Sequence, residues 1–204
     1  MKYAEAVAAE LLELLTRDPR AILLGVGVGD SRYGGKDIYG TCVAAAKAFP
    51  DRVIDTPLSE NLMTGACVGL AAEGWRPLMV HARADFLYLS AEHLLNTAAT
   101  WRMVHGTGCP ITVKAVIGEG WGCGVMHSKA PLEMFNVAGI DLFTPRTRFG
   151  LRRAYRNAVA TGTPTVILER RRYYDQPIEE GDESEPLVDW SIPRGPAPAS
   201  APLE

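Results

Sequence analysis

Six stretches of this chain are written as largely apolar runs, AILLGVGV (21–28), DRVIDT (51–56), RPLMVHA (76–82), CPITVKAVIG (109–118), DLFTP (141–145) and TPTVILERR (163–171), and helix-like segments separate them. Strands that carry Val, Ile and Leu on consecutive positions bury both faces, so they belong to a parallel sheet covered on each side, and the intervening helices provide the cover. The expected fold class is therefore α/β, a mostly parallel sheet with helices on both faces. The helical segments are an amphipathic stretch over 3–16 closed by Asp18-Pro19, then 41–49, a small-residue helix over about 60–73, a long candidate over 85–104, 128–139 and 149–161. One domain over 1–174 accounts for the pattern. From 175 to 204 the text turns acidic and then rich in Pro and Ala, and it reads as a loose tail that drapes over a partner through Leu187, Val188 and Trp190.

Composition removes several function classes. A net charge of -3 with no Lys/Arg cluster leaves no electrostatic footprint for nucleic acid. The start, MKYAEAVAAELLELL, mixes acids into its apolar positions, so neither a signal peptide nor a membrane span is expected and the cytoplasm is the expected compartment. Cys42, Cys67, Cys109 and Cys123 form no C-x-x-C pair, and His81, His93, His105 and His127 lack the spacing of metal ligands. No metal site is assigned to this chain.

In an open parallel sheet, ligands sit beyond the carboxyl ends of the strands, which directs attention to three loops. GVGDSRYGG (27–35) is glycine-rich but neither opens directly into a helix nor carries a P-loop Lys-Ser/Thr, so it is weak evidence for nucleotide binding. DTPLSE (55–60) sets Glu60 in the first turn of the small-residue helix, where the helix dipole alone would favour an acid. Gly65 and Gly69, one turn apart on that helix, allow another element or chain close to its backbone, and Glu60 could there meet a ligand nitrogen. GEGWGCGVMHSK (118–129) ends in His127-Ser128; such a histidine is usually a packing residue, and its functional alternative is a proton donor in a cleft. No G-x-S-x-G elbow supports a hydrolase triad. Phe86, at a strand-to-helix corner, could support an aromatic ring.

Taken in order, RDPRAILLGVGVG, DRVIDTPLSENLMTGACVGLAAEGWRP, ADF (84–86), MHS (126–128) and PTVILERRRYY resemble the N-terminal, pyrimidine-binding domain of the β subunit of thiamine-diphosphate-dependent 2-oxo acid dehydrogenases, their decarboxylating component, and of the transketolase-like family. The resemblance implies that Glu60 hydrogen-bonds a ring nitrogen of the cofactor's aminopyrimidine, that Phe86 packs against that ring, and that His127 handles protons near the reacting centre. Glu60 and His127 would be catalytic, and Glu60 and Phe86 cofactor-binding. Family enzymes hold the diphosphate and Mg²⁺ through a Gly-Asp-Gly motif; here GDS (29–31) and GDE (181–183) are the nearest matches. The resemblance thus implies a separate subunit with the GDG-type motif, an α2β2 hetero-oligomer, thiamine diphosphate shared with that partner, and Mg²⁺ held by the partner.

The implied reaction is cleavage of a C–C bond in a 2-oxo acid or ketose and transfer of the acyl or aldehyde unit. This sequence stops where family β subunits continue into a second domain, so a carboligase, a transketolase-like enzyme or a decarboxylase is expected ahead of a lipoamide-reducing dehydrogenase subunit. A non-catalytic α/β scaffold and a Rossmann oxidoreductase are the rivals from other classes. Departures cluster in VHARADF: Val80 and Ala82 stand where the family has Glu and Met, and His81 and Arg83 are additional polar groups, one of which could meet a substrate carboxylate or phosphate. Val26 likewise replaces an acidic residue.

Overall fold

The computed structural model describes residues 1–29, 39–119 and 124–193. The glycine-rich loop at 30–38, Cys123 and the Pro/Ala-rich end therefore lie outside the described residues. Strands β1 (Ala21–Gly25), β2 (Val53–Asp55), β3 (Arg76–His81), β4 (Thr112–Ile117), β5 (Asp141–Phe143) and β6 (Thr165–Arg170) form one six-stranded sheet in the order β2-β1-β3-β4-β6-β5. Every pairing is parallel, as the continuous apolar runs require.

Helices cover both faces. On one side, α1 (Tyr3–Arg17), α2 (Val43–Ala48) and α7 (Arg148–Ala160) bury Val7, Leu11, Ala45, Leu151 and Tyr155 against Leu23, Leu78, Val116 and Ile167 of the sheet. On the other, α3 (Glu60–Ala72) and α4 (Leu87–Ala91) bring Cys67, Val68, Ala71 and Leu87 onto Ile22, Met79, Val113 and Leu168. Alternate residues of β1, β3, β4, β5 and β6 thus supply two separate cores, while β2 adds Val53 to one of them.

Gly25 marks the point where β1 must approach β3 closely. A Cβ there would stand 2.9 Å from the Val80 carbonyl oxygen and 2.8 Å from Val28 Cγ1. Because one obstacle is backbone in a central strand, Gly25→Ala is expected to cost about 1–3 kcal/mol of stability, measured as a lowered urea midpoint at unchanged slope.

Three segments differ from the sequence reading. Residues 85–104 are not one helix: a 3₁₀ turn over Ala84–Phe86 leads into α4, a π-helical stretch follows over Glu92–Ala98, with the Ala99 N–H reaching Leu94 O at 2.9 Å, and α5 (Trp101–His105) ends the run. The helix expected at 128–139 is reduced to α6 (Leu132–Phe135). Pro131 holds the chain before it out of the helical region, and Gly139, at φ +86, turns the chain against the Ala99 carbonyl.

The third difference is the stretch after Tyr174, read as loose. Its described part, 175–193, lies along its own domain. Thr144 N–H donates to Leu187 O at 2.9 Å, Ile192 is buried and Val188 packs beside the core. The acid-rich composition misled because these acids have fixed duties: Glu185 accepts the Arg146 and Thr147 backbone N–H groups at 2.7 and 3.2 Å in front of α7, and Glu180 pairs with Arg152 at 2.8 Å. Trp190 remains half exposed at 47%.

Candidate active site

Beyond the carboxyl ends of β1 and β3 opens a cleft of about 200 Å³, bounded by Val26, Ser59 and Glu60 on one side and by Val80, Arg83, Phe86 and His127 on the other. The parallel sheet makes such a position the natural one, because the loops leaving neighbouring strands diverge there. Glu60 is the first residue of α3, and Ser59, the preceding cap residue, makes no side-chain capping bond. The Glu60 carboxylate is half-buried at a helix start whose dipole favours negative charge.

Phe86 and His127, 41 positions apart in sequence, meet edge to face with ring centroids 5.7 Å apart and planes at 78°. Both are half-buried, on short 3₁₀ turns at 84–86 and 125–127. Asp85 joins those turns: it is 7% exposed, and its Oδ1 accepts the Lys129 backbone N–H at 3.1 Å. The structure therefore brings Glu60, Phe86 and His127 to one cleft and adds Asp85, to which the sequence reading gave no role. Its signal was its place inside the ADF triplet. Asp85→Ala should release the 125–129 turn, expected as faster amide exchange at Lys129 with the Glu60 helix unaffected.

Gly65 and Gly69 differ from one another. Gly65 admits the His93 ring, whose Cε1 lies 2.9 Å from where a Cβ would stand, while the equivalent space at Gly69 is open. Leu58 and Leu62 beside Glu60, and Val125 and Met126 beside His127, are large apolar side chains exposed by 77%, 61%, 59% and 64%. Exposed apolar groups on the two segments that carry Glu60 and His127 are a mark of an interaction surface.

The polar residues of VHARADF separate in role. Arg83 lines the cleft and lies against Tyr39: its guanidinium donates to the Tyr39 hydroxyl and, at 2.9 Å, to Ala82 O, while the Tyr39 hydroxyl donates to Ala82 O at 2.6 Å. His81 points inward, 2% exposed, and burial lowers its pKa to about 4. A neutral imidazole cannot serve as a charged partner for a carboxylate or phosphate, so of the two extra groups only Arg83 suits an anion. His81 protonates readily when unfolded, near 6.5, and poorly when folded, so its contribution to stability is present above about pH 6.5 and is lost as pH falls toward about 4. Acid unfolding of His81→Phe should lose part of that pH dependence, read as a flatter plot of urea midpoint against pH over this window.

Among the described residues no group of three or more His, Cys, Asp or Glu is placed to hold a metal ion, and no helix is long and apolar enough to cross a membrane. Cys42, Cys67 and Cys109 are buried free thiols, with burial pushing Cys67 up to about 12.

Residues 1–176 match the family model described as the transketolase, pyrimidine binding domain. The chain belongs to that family. Among curated relatives it is 29% identical over 191 residues to the acetoin:2,6-dichlorophenolindophenol oxidoreductase subunit beta of Cupriavidus necator, covering 88% of this chain and 56% of the relative. It is 30% identical over 201 residues to the 2-oxoisovalerate dehydrogenase subunit beta of Bacillus subtilis, covering 97% and 59%. A pyruvate dehydrogenase E1 component subunit beta-1 of Oryza sativa is 30% identical over 179 residues, covering 86% and 47%. The chain thus spans about half the length of these relatives. Among solved structures, a split gene transketolase in an inactive β4 tetramer aligns with a TM-score of 0.58 at 20% identity, over 84% of this chain and 51% of that one, a likeness in fold.

Proposed function

We propose that this chain is the pyrimidine-binding part of a split thiamine-diphosphate-dependent enzyme that cleaves a C–C bond beside a carbonyl and transfers the resulting acyl or aldehyde unit. The observation that carries the reading is the convergence of Glu60, Phe86 and His127 on one cleft at the carboxyl end of a parallel sheet. The residues fit the aminopyrimidine half of the cofactor: a half-buried carboxylate at a helix start, an aromatic ring, apolar walls from Val26 and Val80, and a buried imidazole nitrogen with no hydrogen-bond partner among the described residues. When bound, the cofactor supplies the electron sink that such cleavage needs.

Within this frame, Glu60 holds and polarises a ring nitrogen of the aminopyrimidine. Phe86 packs on the ring and keeps water from it, and Asp85 fixes the turn that carries His127. His127, in edge contact with Phe86, is positioned to hold or move a proton at the substrate oxygen. Arg83 binds the substrate's anionic end. The names of the relatives, 2-oxoisovalerate dehydrogenase and pyruvate dehydrogenase among them, favour a 2-oxo acid over a ketose. With a 2-oxo acid, Arg83→Met is expected to raise KM by about tenfold with a smaller change in kcat, the value of one charge-assisted contact.

The diphosphate and Mg²⁺ fall to a separate subunit bearing a GDG-type motif, in an α2β2 assembly, and the exposed apolar rim of Leu58, Leu62, Val125 and Met126 suits that partner. Co-expression with such a subunit, followed by calorimetry with thiamine diphosphate and Mg²⁺, tests the reading. Binding by the pair and not by this chain alone is expected. Absence of binding by the pair would leave Glu60 as an ordinary helix-terminus acid.

A further inference from the structure

Behind the cleft, Thr64 and Ser90 link Glu60 to His81 through a run of polar contacts whose donors and acceptors can be assigned one by one. Thr64 Oγ1 lies 2.7 Å from Glu60 O and must donate to it, since a carbonyl only accepts. Its single proton spent, Thr64 accepts from the Ser90 hydroxyl 2.7 Å away. Ser90, having donated, accepts from His81, whose Nε2 is 3.2 Å from its oxygen. The imidazole therefore carries its proton on Nε2, and Nδ1 is left with a bare lone pair. Nδ1 is buried and meets no hydrogen-bond partner among the described residues, and His81 lines the same cleft as Glu60.

We infer that His81 is a ligand-binding residue whose Nδ1 accepts a hydrogen bond from an N–H or O–H group held in the cleft. The inference rests on the proposed pyrimidine-binding role of this cleft and deepens it. A buried acceptor deprived of both water and protein is unfavourable, and a ligand donor removes the deficit. Burial keeps the ring neutral at ordinary pH, so the lone pair stays available. The assignment selects for donors and against anions: a carboxylate or phosphate oxygen would face the lone pair with another. Two sources offer a suitable donor, the amino group of an aminopyrimidine and the hydroxyl of a hydroxyketone. The relay also ends on the backbone carbonyl of Glu60, the first residue of α3.

Nitrogen-detected NMR of this chain, labelled with ¹⁵N-histidine and assembled with the subunit proposed to complete the cofactor site, reads the two ring nitrogens of His81 separately. The free protein is expected to show the Nε2–H tautomer; a proton on Nδ1 would overturn the inference. Titration with 4-amino-2-methylpyrimidine should shift the Nδ1 signal, whereas a shift with hydroxyacetone alone would support the inference with a substrate hydroxyl as the donor. His81→Phe should bind the effective probe about tenfold more weakly, and His81→Asn, which keeps an acceptor near the Nδ1 position, should bind within about threefold of the parent. Binding of the aminopyrimidine by calorimetry with Nδ1 unmoved would overturn the His81 assignment and leave the pyrimidine reading standing. Binding of neither probe would overturn both.

Discussion

Replacing Glu60 by Gln is expected to lower turnover of the assembled enzyme by about 10³-fold or more while leaving its fold intact. Gln matches Glu in size and can keep a contact with a ring nitrogen, but it cannot place a negative charge there. The substitution also forfeits a favourable interaction with the α3 dipole, worth about 0.3–1 kcal/mol for an exposed site. A 10³-fold loss corresponds to about 4 kcal/mol, so the two effects differ enough to be told apart. Steady-state turnover and a urea midpoint, measured on the same preparation, make the separation. Turnover within a few-fold of the parent would remove Glu60 from the chemistry, and a collapse of the midpoint would make the loss structural.

The architecture is legible because its signals are local. AILLG, RPLMVH, TVKAVI and TVILER are apolar over consecutive positions, and each becomes a strand within residues of where the text suggests. The break of 85–104 into a turn, α4, a π-helical stretch and α5 is not legible, since no Pro or Gly interrupts it; the i to i−5 bond at Ala99 answers to packing. The site divides in the same way. Glu60, Phe86 and His127 could be named from short matching stretches, but that Phe86 and His127 touch is a property of the fold. The His81, Ser90 and Thr64 relay could not be seen at all, because Thr64 and Ser90 are ordinary small residues 26 positions apart until α3 and α4 pack side by side.

The second large effect is expected far from the cleft, at Lys114. This lysine and Glu169 are fully buried, with Nζ 3.2 Å from Glu169 Oε2. They stand on adjacent strands, and the Tyr155 and Tyr174 hydroxyls donate to the two carboxylate oxygens. Lys114→Met leaves a carboxylate in an apolar core with two neutral donors and without this cation, a defect worth about 3–5 kcal/mol. For a chain of this size that is a fall in thermal midpoint of about 6–20 °C. Lys114→Met combined with Glu169→Gln should recover most of it, because the uncompensated charge disappears with the pair; an additive double variant would refute the coupling. The tyrosines supply an independent check. Burial first, and then the Glu169 charge, raises both phenols well above their ordinary value. A raised pKa in the folded state means that this stability is complete below about pH 10 and drains as pH climbs above it. Tyr155→Phe and Tyr174→Phe should each flatten that alkaline loss while weakening the protein at neutral pH, since each removes a donor from the buried carboxylate.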